Sequence, residues 1–193
     1  VKTKQAEVAA ARAKRPLADL VSAARDAEPA RDFFAAIAGP SPSGVHLIAE
    51  VKKASPSAGL IRADFDPVAI ARQYHQAGAS ALSVLTDEQY FQGRLEYIQR
   101  IKAAVPLAVL RKDFVIDEYQ IYEGRDAGAD AILLITEVLG VERVREFGEI
   151  VGPLGMTALI EVHDPALAEL LVTTVDFHPR HRRNHQHLLA VLP

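Results

Sequence analysis

Apolar residues in this chain gather in five short runs, and between the runs they recur every three or four positions. The runs are Leu47–Val51, Ala81–Leu85, Leu107–Leu110, Ala131–Ile135 and Ala158–Val162. Each is continuous and bounded by polar or turn-forming residues, which predicts strands buried on both faces. The intervening segments Pro67–Ala77, Leu95–Ala104, Glu118–Ala127 and Val141–Val151 have the helical period. Strand alternating with helix predicts βα units, hence a parallel sheet covered by helices. Two junctions are nearly the same text, QAGASALSVL (Gln76–Leu85) and DAGADAILLI (Asp126–Ile135). In both, a glycine (Gly78, Gly128) stands where a helix ends in a left-handed residue, and a strand follows. This internal repeat supports βα units stacked side by side. Such units build either a closed barrel or an open doubly wound sheet. Five strands suit the open sheet by count, because a barrel takes eight strands and roughly 250 residues.

The flanks differ from this rhythm. Residues 1–38 are alanine-rich and charged throughout, which predicts helix broken into pieces by Pro16 and Pro29. The turn cluster GPSPSG (Gly39–Gly44) ends that extension. From Val172 the period is lost, and four of the seven histidines fall with three arginines inside Phe177–His187. The reading is a helical extension over 1–44, βα units over 45–171, and a His/Arg-rich tail over 172–193 with no further βα unit.

Composition narrows the function classes. A chain of 193 residues is long enough for one sizeable core. Its formal net charge of −3 gives no general attraction to nucleic acid or to an anionic membrane. The absence of cysteine excludes a disulfide framework, a thiolate metal site and a cysteine nucleophile, and fits a reducing cytoplasm. The first residues show no apolar signal segment, and no run of about 18 apolar residues suggests a membrane span.

Chemistry is concentrated where the strands end. The first strand runs into Glu50, Lys52 and Lys53, and the second into Thr86, Asp87 and Glu88. The third ends in Arg111, Lys112 and Asp113, the fourth in Thr136 and Glu137, the fifth in Glu161, His163 and Asp164. Ligands of parallel βα proteins bind at the C-terminal ends of the strands. Charges there also mark where a strand meets water. Glu50, Lys112 and Glu161 stand out because each interrupts an apolar run. Alternation along a strand puts Glu50 and Lys52 on one face, an acid beside a base. His163, just outside a strand, reads more readily as solvated. The spacing in HPRHRRNHQH matches no structural zinc pattern. Neither a Walker sequence nor GxGxxG occurs.

Five segments in order, LIAEVKKASPSAGLI (Leu47–Ile61), LSVLTDEQYFQG (Leu82–Gly93), VLRKDFVIDEYQI (Val109–Ile121), ADAILLI (Ala129–Ile135) and LIEVHD (Leu159–Asp164), strongly resemble the indole-3-glycerol phosphate synthase family. The resemblance runs from the N-terminal helices to about Leu171. It implies a (β/α)8 TIM-barrel type of fold, here incomplete, with about five βα units behind the helical extension. It implies ring closure of 1-(2-carboxyphenylamino)-1-deoxyribulose 5-phosphate to indole-3-glycerol phosphate, carbon dioxide and water, a carboxy-lyase reaction of tryptophan biosynthesis, with no cofactor and no metal. By motif match Lys112 is the general acid at the ribulose carbonyl and Glu161 the base of the dehydration. Lys52 binds the substrate carboxylate or assists as an acid, with Glu50 beside it. Ser55 and Pro56 lie on the loop after the first strand, and Phe91 and Phe114 match positions around the anthranilate ring.

The resemblance stops short of the family's sixth strand with its NNRNL-like motif, of SESGI, and of the glycine-rich phosphate loop. An aberrant ending after residue 171, little synthase activity of the chain alone, and self-association through open barrel edges are the corresponding expectations. Competing readings are a phosphoribosylanthranilate isomerase-like barrel, a non-catalytic partial-barrel or assembly module, and a flavodoxin-like domain. The first would not carry both LRKDF and EVKKASPS.

Overall fold

Three helices precede the first strand, and their ends follow from the prolines and one aspartate. The computed structural model describes residues 1–41, 44–174 and 186–191, so most of the HPRHRRNHQH segment, Asn184 included, lies outside the described residues. Helix α1 spans Lys2–Lys14 and α2 spans Leu17–Asp26, with Pro16 between them. Helix α3 (Phe33–Ala38) is capped by Asp32, which accepts from the Ala35 amide at 2.8 Å.

The βα series begins with β1 (Ile48–Val51). A small antiparallel ribbon, β2 (Ala54–Ser55) with β3 (Gly59–Leu60), folds the loop that follows. Then come α4 (Pro67–Gln76), β4 (Ala81–Leu85), α5 (Glu88–Phe91), α6 (Glu96–Ala104) and β5 (Ala108–Lys112). Next are α7 (Glu118–Asp126), β6 (Ala131–Ile135), α8 (Thr136–Leu139), α9 (Val141–Val151), β7 (Thr157–Val162) and α10 (Pro165–Thr174). Five βα units are present, as expected.

One element departs from the sequence reading. Strand β8 (Gln186–Val191) pairs in parallel with β7, from Thr157↔Gln186 to Val162↔Val191. Residues read as a tail without a further strand thus supply a sixth strand. The signal was the apolar run in LLAVL, overshadowed by the histidines and arginines before it. The sheet order is β1-β4-β5-β6-β7-β8, every pair parallel.

The twin junctions take the same shape. Gly78 and Gly128 have φ of +86° and +89°, the left-handed region that suits glycine. Gly78 and Ala79 donate to the carbonyls of His75 and Tyr74, both at 3.0 Å. Gly128 and Ala129 repeat this on Arg125 and Gly124, both at 2.9 Å. Each repeat therefore satisfies the orphan carbonyls of its helix and turns the chain into the next strand.

Alternation along the strands sorts the core into two layers. Val51, Leu82, Val84, Val109, Ile132, Leu134, Ala158 and Ile160 face outward and pack under the helices. Ala81, Ala108, Leu110, Ala131 and Leu133 face inward, with Ile48, Ile135 and Leu159 beside them. Phe33 of α3, fully buried, fills that inner layer with Ile37. Helix α3 touches β4, β5 and β8 at once. In a flat sheet β4 and β8 would lie about 19 Å apart, four strand spacings. A six-residue helix is about 9 Å long. The sheet is therefore curled around α3, which decides for the barrel type over the open sheet that strand count alone favoured.

The extension is fastened at the N-terminal end of the sheet as well. Arg31 donates to the carbonyls of Val105 and Leu107, both at 2.7 Å, and of Lys102 at 2.8 Å, which caps the end of α6. Its amide donates to Asp130 at 2.7 Å, and that buried carboxylate also holds the Val109 amide at 2.8 Å and Lys102. Burial lowers the Lys102 pKa, and the hydrogen bond to Asp130 only partly offsets it. No helix among the described residues is long and apolar enough to cross a membrane.

Candidate active site

At the C-terminal end of the sheet, Glu50 bridges two strands. Its carboxylate accepts from Lys52 at 2.5 Å and from Lys112, at the end of β5, at 3.0 Å. Strand β4 lies between β1 and β5, so the bridge spans it. It crosses over small Ser83, which is in register with Glu50 on one side and Leu110 on the other. Burial alone would raise the Glu50 pKa. Hydrogen bonds and charge from the two lysines outweigh that, and the carboxyl is held below its ordinary value. Two ammonium groups against one carboxylate leave the cluster cationic. All three side chains are only partly buried, so water or an anionic ligand reaches them.

Lys112 faces inward because Leu110, two residues before it, belongs to the inner layer. Arg111 consequently faces outward among the helices. There it donates to the Gln120 carbonyl at 2.6 Å, to Glu123 at 2.8 Å, and to Asp113 and Thr86 Oγ1, both at 3.2 Å. The strand reaches Lys112, two residues beyond the apolar run, because these partners take up the Arg111 charge.

Glu161 stands on β7, in register with Ile135, at the same end of the sheet. Its carboxylate is mostly buried and meets His163 Nε2 at 3.3 Å rather than either lysine. His163 is largely exposed, but it is not idle: its amide donates to Glu137 at 2.6 Å, and the Asp164 amide does so at 3.2 Å. Desolvation alone would raise the Glu137 pKa, but these amides together with its own backbone amide outweigh it and hold the carboxyl below its ordinary value. Glu137 thereby braces the turn after β7 that carries Glu161.

The two aromatic candidates come together. Phe91 closes α5 and Phe114 follows β5; their rings are 6.4 Å apart, tilted by 45°. Both are half-buried. Ser55 lies on the β2–β3 ribbon, where its hydroxyl accepts from the Ala58 amide at 3.1 Å, and Pro56 is exposed at the ribbon's turn. Glu50, Lys52 and Lys112 are thus one cluster and Phe91 and Phe114 another; the ribbon's β2 touches α5, the helix that ends in Phe91, while Glu161 stands apart from both clusters.

Sequence reasoning passed over two residues near this site. Ser83 has a buried hydroxyl with no hydrogen-bond partner among the described residues. Its inward placement was readable from alternation with Ala81. Lys4 of α1 is buried against carboxylates beside β4 and β5. No local signal marked it among the charged residues of an alanine-rich helix.

The family model for indole-3-glycerol phosphate synthase matches residues 1–175. The chain belongs to that family. Among its relatives, the indole-3-glycerol phosphate synthase of Rhodopirellula baltica is 50% identical over 174 residues, 90% of this chain and 66% of the relative. That of Chlorobium luteolum is 52% identical, covering 85% of this chain and 62% of the relative. That of Neisseria meningitidis serogroup B is also 52% identical, covering 84% and 63%. The chain spans just under two thirds of the length of these family members. The match takes in α1 through α10 and so includes every residue of the two clusters, Glu161 and the β2–β3 ribbon.

Proposed function

We propose that this protein closes the pyrrole ring of indole, converting 1-(2-carboxyphenylamino)-1-deoxyribulose 5-phosphate to indole-3-glycerol phosphate, carbon dioxide and water, a lyase step of tryptophan biosynthesis. The observation that carries the reading is the Glu50 carboxylate bridging Lys52 and Lys112 at the C-terminal end of the sheet. An ammonium has three donors, and Lys112 gives one of them to Glu50. The others are available to a carbonyl oxygen. As the ring carbon bearing the carboxylate attacks the ribulose carbonyl, the new carbon–carbon bond forms and the carbonyl oxygen takes a proton from Lys112. The carboxylate leaves as carbon dioxide, and its bonding electrons restore the aromatic ring. Dehydration follows: Glu161 removes a proton from carbon while the hydroxyl formed in the first step takes up a proton from solvent and departs as water.

Lys52 is assigned to the substrate carboxylate, where a second cation beside Lys112 favours its approach. Phe91 and Phe114 flank the anthranilate ring, an apolar surface suited to a flat aromatic. Ser55 and Pro56 are assigned to the loop that covers the substrate. The chemistry is carried by side-chain acids and bases.

Glu161→Gln tests the division of labour. The substitution keeps size and hydrogen bonding but removes the base. Indole formation is expected to fall about 10²-fold or more, while carbon dioxide is still released in the first turnover, because decarboxylation precedes dehydration. Rapid-quench analysis of both products reads this out. Indole formation at the unaltered rate would refute the role of Glu161.

A further inference from the structure

Lys4 is a buried cation far in sequence from anything else in the site, with its side chain 6% exposed. Its ammonium meets Glu7 at 2.6 Å on its own helix, and two carboxylates of the sheet end, Asp113 at 2.8 Å and Asp87 at 3.1 Å. The approach to Asp87 Oδ2 is a charge contact without hydrogen-bond alignment. Each of these two aspartates organises a loop. Asp87 Oδ1 accepts from the Tyr90 amide at 2.7 Å, capping α5, whose last residue is Phe91. Asp113 Oδ1 accepts from the Phe114 amide at 2.8 Å, and its other oxygen accepts from Thr86 at 2.7 Å. Asp113 is also the residue next to Lys112. One ammonium therefore touches both supports of the aromatic pair. Burial opposes its charge, yet the carboxylates, Asp113 foremost, raise the Lys4 pKa well above the ordinary lysine value.

We propose that Lys4 is a positioning residue: by binding Asp87 and Asp113 together it ties the first helix to the loops after β4 and β5, and so sets the spacing of Phe91 and Phe114 beside Lys112. The clamp rests on geometry alone; its effect on rate rests on the ring-closure reading above. Arg12 supplies the control. It docks the same helix through Asp117 at 2.6 Å, outside the aspartate pair.

The experiment compares Lys4→Met and Arg12→Met in the full chain by amide hydrogen exchange and by steady-state kinetics. Lys4→Met is expected to speed exchange at Tyr90 and Phe114 selectively over the β6 amides. It is also expected to lower kcat/KM about tenfold to hundredfold, the scale of a small misplacement of reacting groups. Arg12→Met should do neither. Unchanged exchange at Tyr90 and Phe114 in Lys4→Met overturns the clamp. Equal effects of both substitutions overturn it too, since general undocking of α1 would then suffice. Altered exchange with unchanged kcat/KM overturns the positioning role. If the unaltered chain closes no ring, the ring-closure reading fails, and the exchange data still decide the clamp.

Discussion

Replacing Lys112 by methionine is expected to slow ring closure by about 10²–10⁴-fold, the range for loss of a general acid. Methionine keeps the length and most of the apolar stem of lysine but has no proton to give. The fold should tolerate it. Lys112 is more than a third exposed, and exposed ion pairs contribute about 0–1 kcal/mol. Glu50 also retains Lys52. The effect should therefore fall on kcat with little change in melting temperature, measured by indole fluorescence and by thermal unfolding. Lys52→Met run in parallel apportions the acid role. If Lys52 serves the substrate carboxylate, its loss raises KM more than it lowers kcat. A Lys112→Met chain that turns over at the unaltered rate would remove Lys112 from the chemistry.

Asp113→Ala should have the largest effect on stability. Asp113 is buried between two buried cations, Lys4 and Arg111, and its removal leaves both without their shared partner. Breaking a buried pair from one side costs about 3–5 kcal/mol, a large share of the total stability of about 5–15 kcal/mol typical of a domain. The pH dependence has a definite sign. Burial alone would raise the Asp113 pKa, but Arg111 and then Lys4 lower it below its ordinary 3.8. A carboxyl with a lowered folded-state pKa contributes stability that is fully present above its unfolded value. That contribution is lost as pH falls through the folded-state value. Urea unfolding at pH 7 and at pH 3 should thus show a wide gap between the unaltered chain and Asp113→Ala, narrowing in acid. A gap of the same size at both pH values would contradict the assignment.

Much of this architecture is visible in the residues, and the exceptions have physical causes. The five βα strands show because a strand covered on both faces is a continuous apolar run. The two helix ends show because only a glycine suits their left-handed turn. Glu50 and Glu161 were readable as charges interrupting such runs, and Lys112 as a charge at the end of one. The curl of the sheet was not, because it depends on Phe33 and Ile37 filling a layer that strand count does not reveal. Lys4 was hidden for a different reason. Burial of a cation is set by carboxylates brought near only by folding, and its own helix looks solvated along its length. The strand at Gln186–Val191 was masked by composition, its apolar stretch following a run of histidines and arginines.

The question of whether the Glu50–Lys52–Lys112 cluster and Glu161 close a ring can be put to the chain directly. Substrate labelled in its carboxyl carbon is incubated with the unaltered chain, and labelled carbon dioxide and indole absorbance are followed together. Equal amounts of both are expected, at the low rate foreseen for this chain alone, with both lost in Lys112→Met. Substrate that binds and yields neither, or carbon dioxide released as fast without Lys112, would show that this face does not perform the reaction.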